Sequence, residues 1–174
     1  MPTVLVASDA PTVRREIASV AGGPNTDIVE CSSGPEVVER VLDDPPDLVV
    51  VDMQMGNMGG MAVCLELRAE ESYLDVPHVP VLMLIDRRPD VFLARRSGAE
   101  GWLVKPLDPL RTRRAVRALL AGGTYFDESY QPVPVLAGRS TLLAQGPAQE
   151  LAHGEPAQQG AVASGGDGGR PAGG

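Results

Sequence analysis

The chain has 174 residues, 43% of them hydrophobic, and a formal net charge of −8. That length suits one ordinary domain with residues to spare, and the apolar share is enough to build one core. The acidic balance argues against generic binding to nucleic acid or to an anionic membrane, whose phosphates reward Lys and Arg, while leaving room for a local basic face.

Val4 to Ala7 is a short β-branched run and predicts a first strand, ending at Ser8-Asp9. Pro11 suits the first turn of a helix, where its missing N–H costs nothing. Val13, Ile17, Val20 and Ala21 follow at helical spacing until Gly22-Gly23-Pro24-Asn25 stops them. Thr26 to Cys31 reads as a second strand. Ser33 and Glu36 have the spacing of a capping box, and Val37, Val38, Val41 and Leu42 supply the apolar stripe of the helix behind it. Asp47 to Asp52 holds a continuous run of four apolar residues between two acids, which predicts a central strand covered on both faces. Met61, Cys64, Leu65 and Leu67 mark a third helix, and Val79 to Ile85 a fourth strand. A short helix begins at Pro89 and closes at Gly98. Gly101 to Lys105 is the fifth strand, and Asp108-Pro109 opens a last helix running to about Leu120. Cys31 and Cys64 lack metal-ligand spacing and are read as buried thiols.

Five strands alternating with five helices imply a parallel sheet wrapped on both faces, because parallel strands need crossover connections. The fold class is therefore α/β, a flavodoxin-like doubly wound sheet of strand order 2-1-3-4-5. Residues 1–122 form this domain. Residues 123–174 are rich in Pro, Gly and Ala and poor in large apolar side chains, so they are read as a largely disordered tail. Met1 to Asp9 has no basic leader, and no run approaches the ~18–20 apolar residues of a membrane span. A cytoplasmic location with no membrane contact is the expectation.

Functional groups of doubly wound sheets gather beyond the carboxyl ends of the strands. Here that rule collects Ser8 and Asp9, Asp52, Ile85 and Asp86, and Lys105. Neighbouring carboxylates repel unless a cation joins them, and Mg²⁺ takes one or two carboxylates readily. An aspartate beside Mg²⁺ and a lysine is well placed as a nucleophile toward phosphorus.

The segments VLVASDAPTVR, PDLVVVDMQMGNMGGM, VPVLMLIDRR and SGAEGWLVKPLDPLR together resemble the receiver domain of bacterial two-component response regulators, over residues 2–122. The resemblance implies that Asp52 is the phospho-acceptor and that Lys105 pairs with the acyl phosphate. It further implies an Mg²⁺ site from Asp9, Asp52 and the main-chain carbonyl of Gln54, and a cis peptide between Lys105 and Pro106. Trp102 falls at the family's aromatic switch position. Ile85 replaces its usual Ser or Thr, removing the hydroxyl that draws a loop toward the phosphoryl group. Ser8 replaces the first of two adjacent acids, Gly56 a common proline and Gly59 a common aspartate.

The implied partners are a histidine kinase or phosphotransfer protein upstream and a protein docking downstream on the face of the fourth helix, fifth strand and fifth helix (the α4–β5–α5 face), with a homodimer through that face left open. No direct contact with nucleic acid is expected. Arg87, Arg88, Arg95 and Arg96, with Arg111, Arg113, Arg114 and Arg117, make that face basic or else are simply two solvated helix surfaces. Asp86 is read as facing water, and neither His78 nor His153 as a phosphotransfer histidine. Two functions stand: a phosphorylation-controlled receiver, which is not an enzyme in the ordinary sense, and a phosphorylation-independent interaction module on the same fold.

Overall fold

The computed structural model describes residues 1–129, apart from Asp75, Arg88 and the side chain of Leu74. Strands β1 (Thr3–Ala7), β2 (Asp27–Cys31), β3 (Leu48–Asp52), β4 (Val81–Ile85) and β5 (Gly101–Val104) alternate with helices α1 (Pro11–Ala21), α2 (Gly34–Asp43), α3 (Gly60–Leu74), α4 (Asp90–Ser97) and α5 (Pro109–Leu120). All strand pairs are parallel, in the order β2-β1-β3-β4-β5, as the alternation predicts.

The strand period of two divides the core into halves. Leu5 and Ala7, Val49 and Val51, Val81, Met83 and Ile85, and Trp102 and Val104 face one side, where α2, α3 and α4 add Val37, Val41, Val63, Cys64, Leu67 and Ala94. Val4 and Val6, Leu48 and Val50, Leu82 and Leu84, and Leu103 face the other, closed by Ile17 of α1 and Ala115, Val116 and Leu119 of α5. Every residue of β3 and β4 is buried. That is why these two strands read as continuous apolar runs instead of alternating.

Local signals place most boundaries. Pro11 and Pro109 sit in the first turns of α1 and α5, and the Asp108 carboxylate caps α5 by accepting from Arg111 N–H at 2.8 Å. Gly98 ends α4 at φ 82°, a left-handed conformation that favours glycine. The capping box takes a shifted form. Glu36 accepts from the N–H and hydroxyl of Ser32, while the Ser33 side chain makes no cap bond.

The sheet corrects the predicted domain end. Residues 123–129, read from sequence as the start of a tail, carry a sixth strand, β6 (Tyr125–Phe126), parallel to the outer edge of β5. The aromatic pair offers buried area to a waiting edge, and two residues are too few for a periodicity signal. The rest of the expected tail, residues 130–174, lies outside the described residues.

Candidate functional site

The carboxyl ends of β1, β3, β4 and β5 converge at one edge of the sheet. Asp52, the last residue of β3, is only 2% exposed. Its Oδ2 accepts from the Ser8 hydroxyl at 2.9 Å, and its Oδ1 from Gln54 N–H at 3.1 Å. Lys105 Nζ donates to both carboxylate oxygens at 2.8 Å. A buried carboxylate needs such partners, since desolvation alone costs several kcal/mol per ion. Ser8 is fully buried and also accepts from Ala10 N–H at 3.2 Å, so one hydroxyl ties the β1 end to both Asp52 and the approach to α1.

Asp9 is exposed, and its Oδ2 accepts from Gly56 N–H at 3.1 Å, linking the loop after β1 to the loop after β3. Gln54 is exposed in that second loop, between buried Met53 and Met55. Lys105 follows β5 directly. Its main-chain N–H donates to Ile85 O at 2.9 Å, and the Lys105–Pro106 bond is cis.

Asp86 is exposed, as read from sequence, and it also has a partner. Its carboxylate lies 3.2 Å from Lys105 Nζ, so that lysine bridges the loop after β4 to Asp52. Two carboxylates, Asp52 and Asp86, thus share one ammonium group, while Asp9 stands on the neighbouring loop bound to Gly56 N–H.

Ile85 is fully buried in the core on the α2–α3–α4 side of the sheet and brings no hydroxyl to the site. Trp102 is 4% exposed. Its ring stacks on Phe126 of β6 with centroids 4.3 Å apart, and the Arg95 guanidinium stands 5.4 Å from its centroid.

The arginines divide by use. Arg87 pairs with buried Asp90 at 3.5 Å, and Arg111 with buried Asp127 at 2.6 Å. Arg95, Arg96, Arg113, Arg114 and Arg117 are exposed, and Arg88 lies outside the described residues.

His78 has partners the sequence did not reveal. It lies 3.0 Å from Glu71 and 3.2 Å from Glu100, in a cluster with Arg68 just before β4 and β5 begin. That is the end of the strands opposite Asp52, so the cluster is a clasp between α3 and the sheet. Burial pushes the Glu71 carboxyl upward, but bonds from His78, Arg68 and Val79 N–H outweigh it and hold Glu71 below its ordinary range. Cys31 and Cys64 are both buried and unpaired, and burial pushes the Cys31 thiol up to about 11.

The residues that sequence reasoning missed are Asp127 and Phe126. Asp127 is 6% exposed and accepts from Val104 N–H at 3.1 Å, completing the outer edge of β5. The only signal for it was an aromatic pair followed by an acid in a segment otherwise poor in large side chains.

Comparison with known proteins agrees with this architecture. The family model described as "Response regulator receiver domain" matches residues 4–117. The DNA-binding response regulator MtrA of Mycolicibacterium smegmatis is 32% identical over 119 residues, which are 67% of this chain and 50% of that protein. The chain therefore spans about half the length of such curated relatives. The receiver domain of the Francisella response regulator 1452 is similar in fold, with a TM-score of 0.61 at 22% identity over 70% of this chain and 98% of that one. The chemotaxis protein CheY4 of Vibrio cholerae is similar with a TM-score of 0.56 at 25% identity, over 67% and 98%. With the sheet order, the strand-end carboxylates and the match over residues 4–117 in agreement, the chain belongs to the receiver domain family of two-component response regulators.

Proposed function

We propose that Asp52 accepts a phosphoryl group from a histidine kinase or phosphotransfer protein in the cytoplasm. The domain then signals by binding another protein through the surface of α4, the β5 edge and α5. The observation that supports this most is the Asp52 carboxylate at the end of β3, held by Lys105 at 2.8 Å through both oxygens. In the transfer, one Asp52 oxygen forms a P–O bond as the donor's P–N bond breaks, and the electron pair of that bond stays on the donor imidazole. Lys105 meets the new phosphoryl oxygens, and its ammonium offsets their charge without any proton transfer. Receiver domains are signalling domains and not enzymes in the ordinary sense.

The donor set at the site is oxygen only, which suits a hard cation such as Mg²⁺. Asp9, Asp52 and the Gln54 carbonyl would hold it, and the ion, when bound, neutralises phosphoryl charge. Among the described residues no three His, Cys, Asp or Glu side chains form a metal cluster. The remaining positions would fall to water and phosphate, as is usual for this ion.

Two observations favour a second reading, an interaction module that works without phosphorylation. Ser8 stands where the family carries an acid and spends its hydroxyl on Asp52, and Ile85 is buried with no hydroxyl to offer a phosphoryl group. MtrA is named as DNA-binding. For this chain we propose no direct contact with nucleic acid, on its net charge of −8.

Intact-mass spectrometry after incubation with a small phosphodonor decides between the readings. A single added phosphate that needs Mg²⁺ and disappears in Asp52→Asn supports the acceptor. No adduct from a small donor or from a panel of histidine kinases leaves the interaction module.

A further inference from the structure

The outer edge of β5 would be an open sheet edge if the chain ended with α5, presenting unpaired main-chain groups that invite another strand. Residues 125–129 close it. Tyr125 N–H donates to Glu100 O at 3.2 Å, Asp127 N–H donates to Trp102 O at 3.2 Å, and Val104 N–H is met by the Asp127 carboxylate at 3.1 Å. The closure is shaped on both sides. A Cβ on Gly101 would come within 2.6 Å of Tyr125 O, so glycine there lets the sixth strand approach. Phe126 covers the Trp102 ring, and Asp127 binds Arg111 of α5.

Three features show that this occupant is an economical one. Its ladder is two residues long, and isolated pairings of that size have little stability of their own. Phe126 remains 45% exposed although it stacks on Trp102. Val104 N–H is met by the Asp127 side chain and not by a main-chain carbonyl, the partner a longer strand would supply. The surroundings are cationic, with Arg95 and Arg96 exposed on α4 and half-buried Arg111 on α5. The ligand that fits is an extended segment bearing an aromatic residue for Trp102 and an adjacent carboxylate for Arg111 and Val104 N–H.

We propose that the β5 edge is a strand-docking site for an extended aromatic–acidic segment of a partner protein, and that residues 125–129 fill it in cis as an exchangeable occupant. The partner adds its strand by main-chain hydrogen bonds and takes specificity from the aromatic and acidic pockets. Because the short connection from α5 holds the cis segment at a high effective concentration, it competes strongly with any outside strand. Arg111 also donates to Pro106 O at 3.3 Å, beside Lys105, so the docking site adjoins the loop that reaches Asp52. The proposal does not depend on whether Asp52 is phosphorylated.

The test uses the full chain carrying Phe126→Ser and Asp127→Ala, with its fold checked by circular dichroism. A synthetic peptide with the sequence of residues 123–129 is titrated into this variant and into the wild type. Binding is read from the emission of Trp102, the chain's single tryptophan, and from the Val104 amide resonance. The peptide is expected to shift both signals in the variant and to bind the wild type at least about tenfold more weakly. A peptide with alanine in place of its aspartate is expected to lose about tenfold or more in affinity for the variant, having lost a charge-assisted bond. Signals that stay fixed in a folded variant overturn the proposal, as does equal binding to variant and wild type. An unfolded variant overturns it as well, because a segment the domain cannot release is no exchangeable occupant.

Discussion

Replacing Ser8 with aspartate places a second carboxylate against Asp52 and makes the stability of the domain respond to a cation. The Ser8 hydroxyl is fully buried and 2.9 Å from Asp52 Oδ2, so the new group has little room to retreat. Two like charges about 4 Å apart repel by about 4 kcal/mol at an effective dielectric constant of 20. Lys105, bound to both Asp52 oxygens, offsets part of this and leaves a net cost of roughly 2–3 kcal/mol. For a domain of this size that is a drop in Tm of roughly 6–15 °C. Mg²⁺ at a hundred times its dissociation constant returns about 2.7 kcal/mol. Thermal melts of Ser8→Asp and wild type in EDTA and in Mg²⁺ measure both effects. The variant should melt well below wild type in EDTA and recover most of the difference in Mg²⁺. If it melts with wild type in EDTA, or if Mg²⁺ raises both by the same amount, the reasoning about this pocket is wrong.

Lys105→Met strips the buried Asp52 carboxylate of its ion pair and should cost roughly 2–3 kcal/mol, less than a fully buried pair because the lysine side chain keeps 20% exposure. The loss should appear as a lower urea midpoint at unchanged m-value and shrink when Asp52→Asn is added; an unchanged midpoint refutes it. Burial pushes the Asp127 carboxyl up, but bonds from Ser129 and Val104 N–H and the Arg111 charge outweigh it and hold it below its ordinary value. A depressed carboxyl lends stability that is full above its unfolded value of about 3.9 and fades as pH falls through the folded one. Trp102 emission should therefore change in acid as Phe126 lifts away, and a transition that is the same in Asp127→Asn would count against this. Burial also raises the thiol of Cys64, as it does that of Cys31. Neither should react with iodoacetamide at neutral pH in the native protein, and both should react once it is unfolded; rapid native labelling contradicts the buried placement.

The element order was legible because it rests on local patterns. Pro11 and Pro109 open helices, Gly98 closes one, and the runs ending at Asp52 and Ile85 are apolar because each strand is covered on two faces. From that order the strand-end rule brought Ser8, Asp9, Asp52, Ile85, Asp86 and Lys105 to one edge. It could not say that Ser8 would bond Asp52, or that exposed Asp86 would also share Lys105. Nor could it give His78 its partners: Glu71 and Glu100 reach it only after α3 has packed beside β4 and β5.

By itself the sequence determined the α/β class, the parallel order of the first five strands and which residues would stand at their carboxyl ends. These follow from periods of 2 and 3.6 residues and from the backbone preferences of Pro and Gly, which act over a few neighbours. The tertiary structure alone decided the hydrogen-bonding partners of Asp52 and the sixth strand. Ser8 lies 44 residues from Asp52, Lys105 lies 53 from it, and Asp127 lies 23 from Val104. Contacts at such separations are chosen by how buried polar groups find partners once the sheet has closed. No local pattern encodes that choice, because an unpaired donor or acceptor carries its cost only after water has been excluded from it.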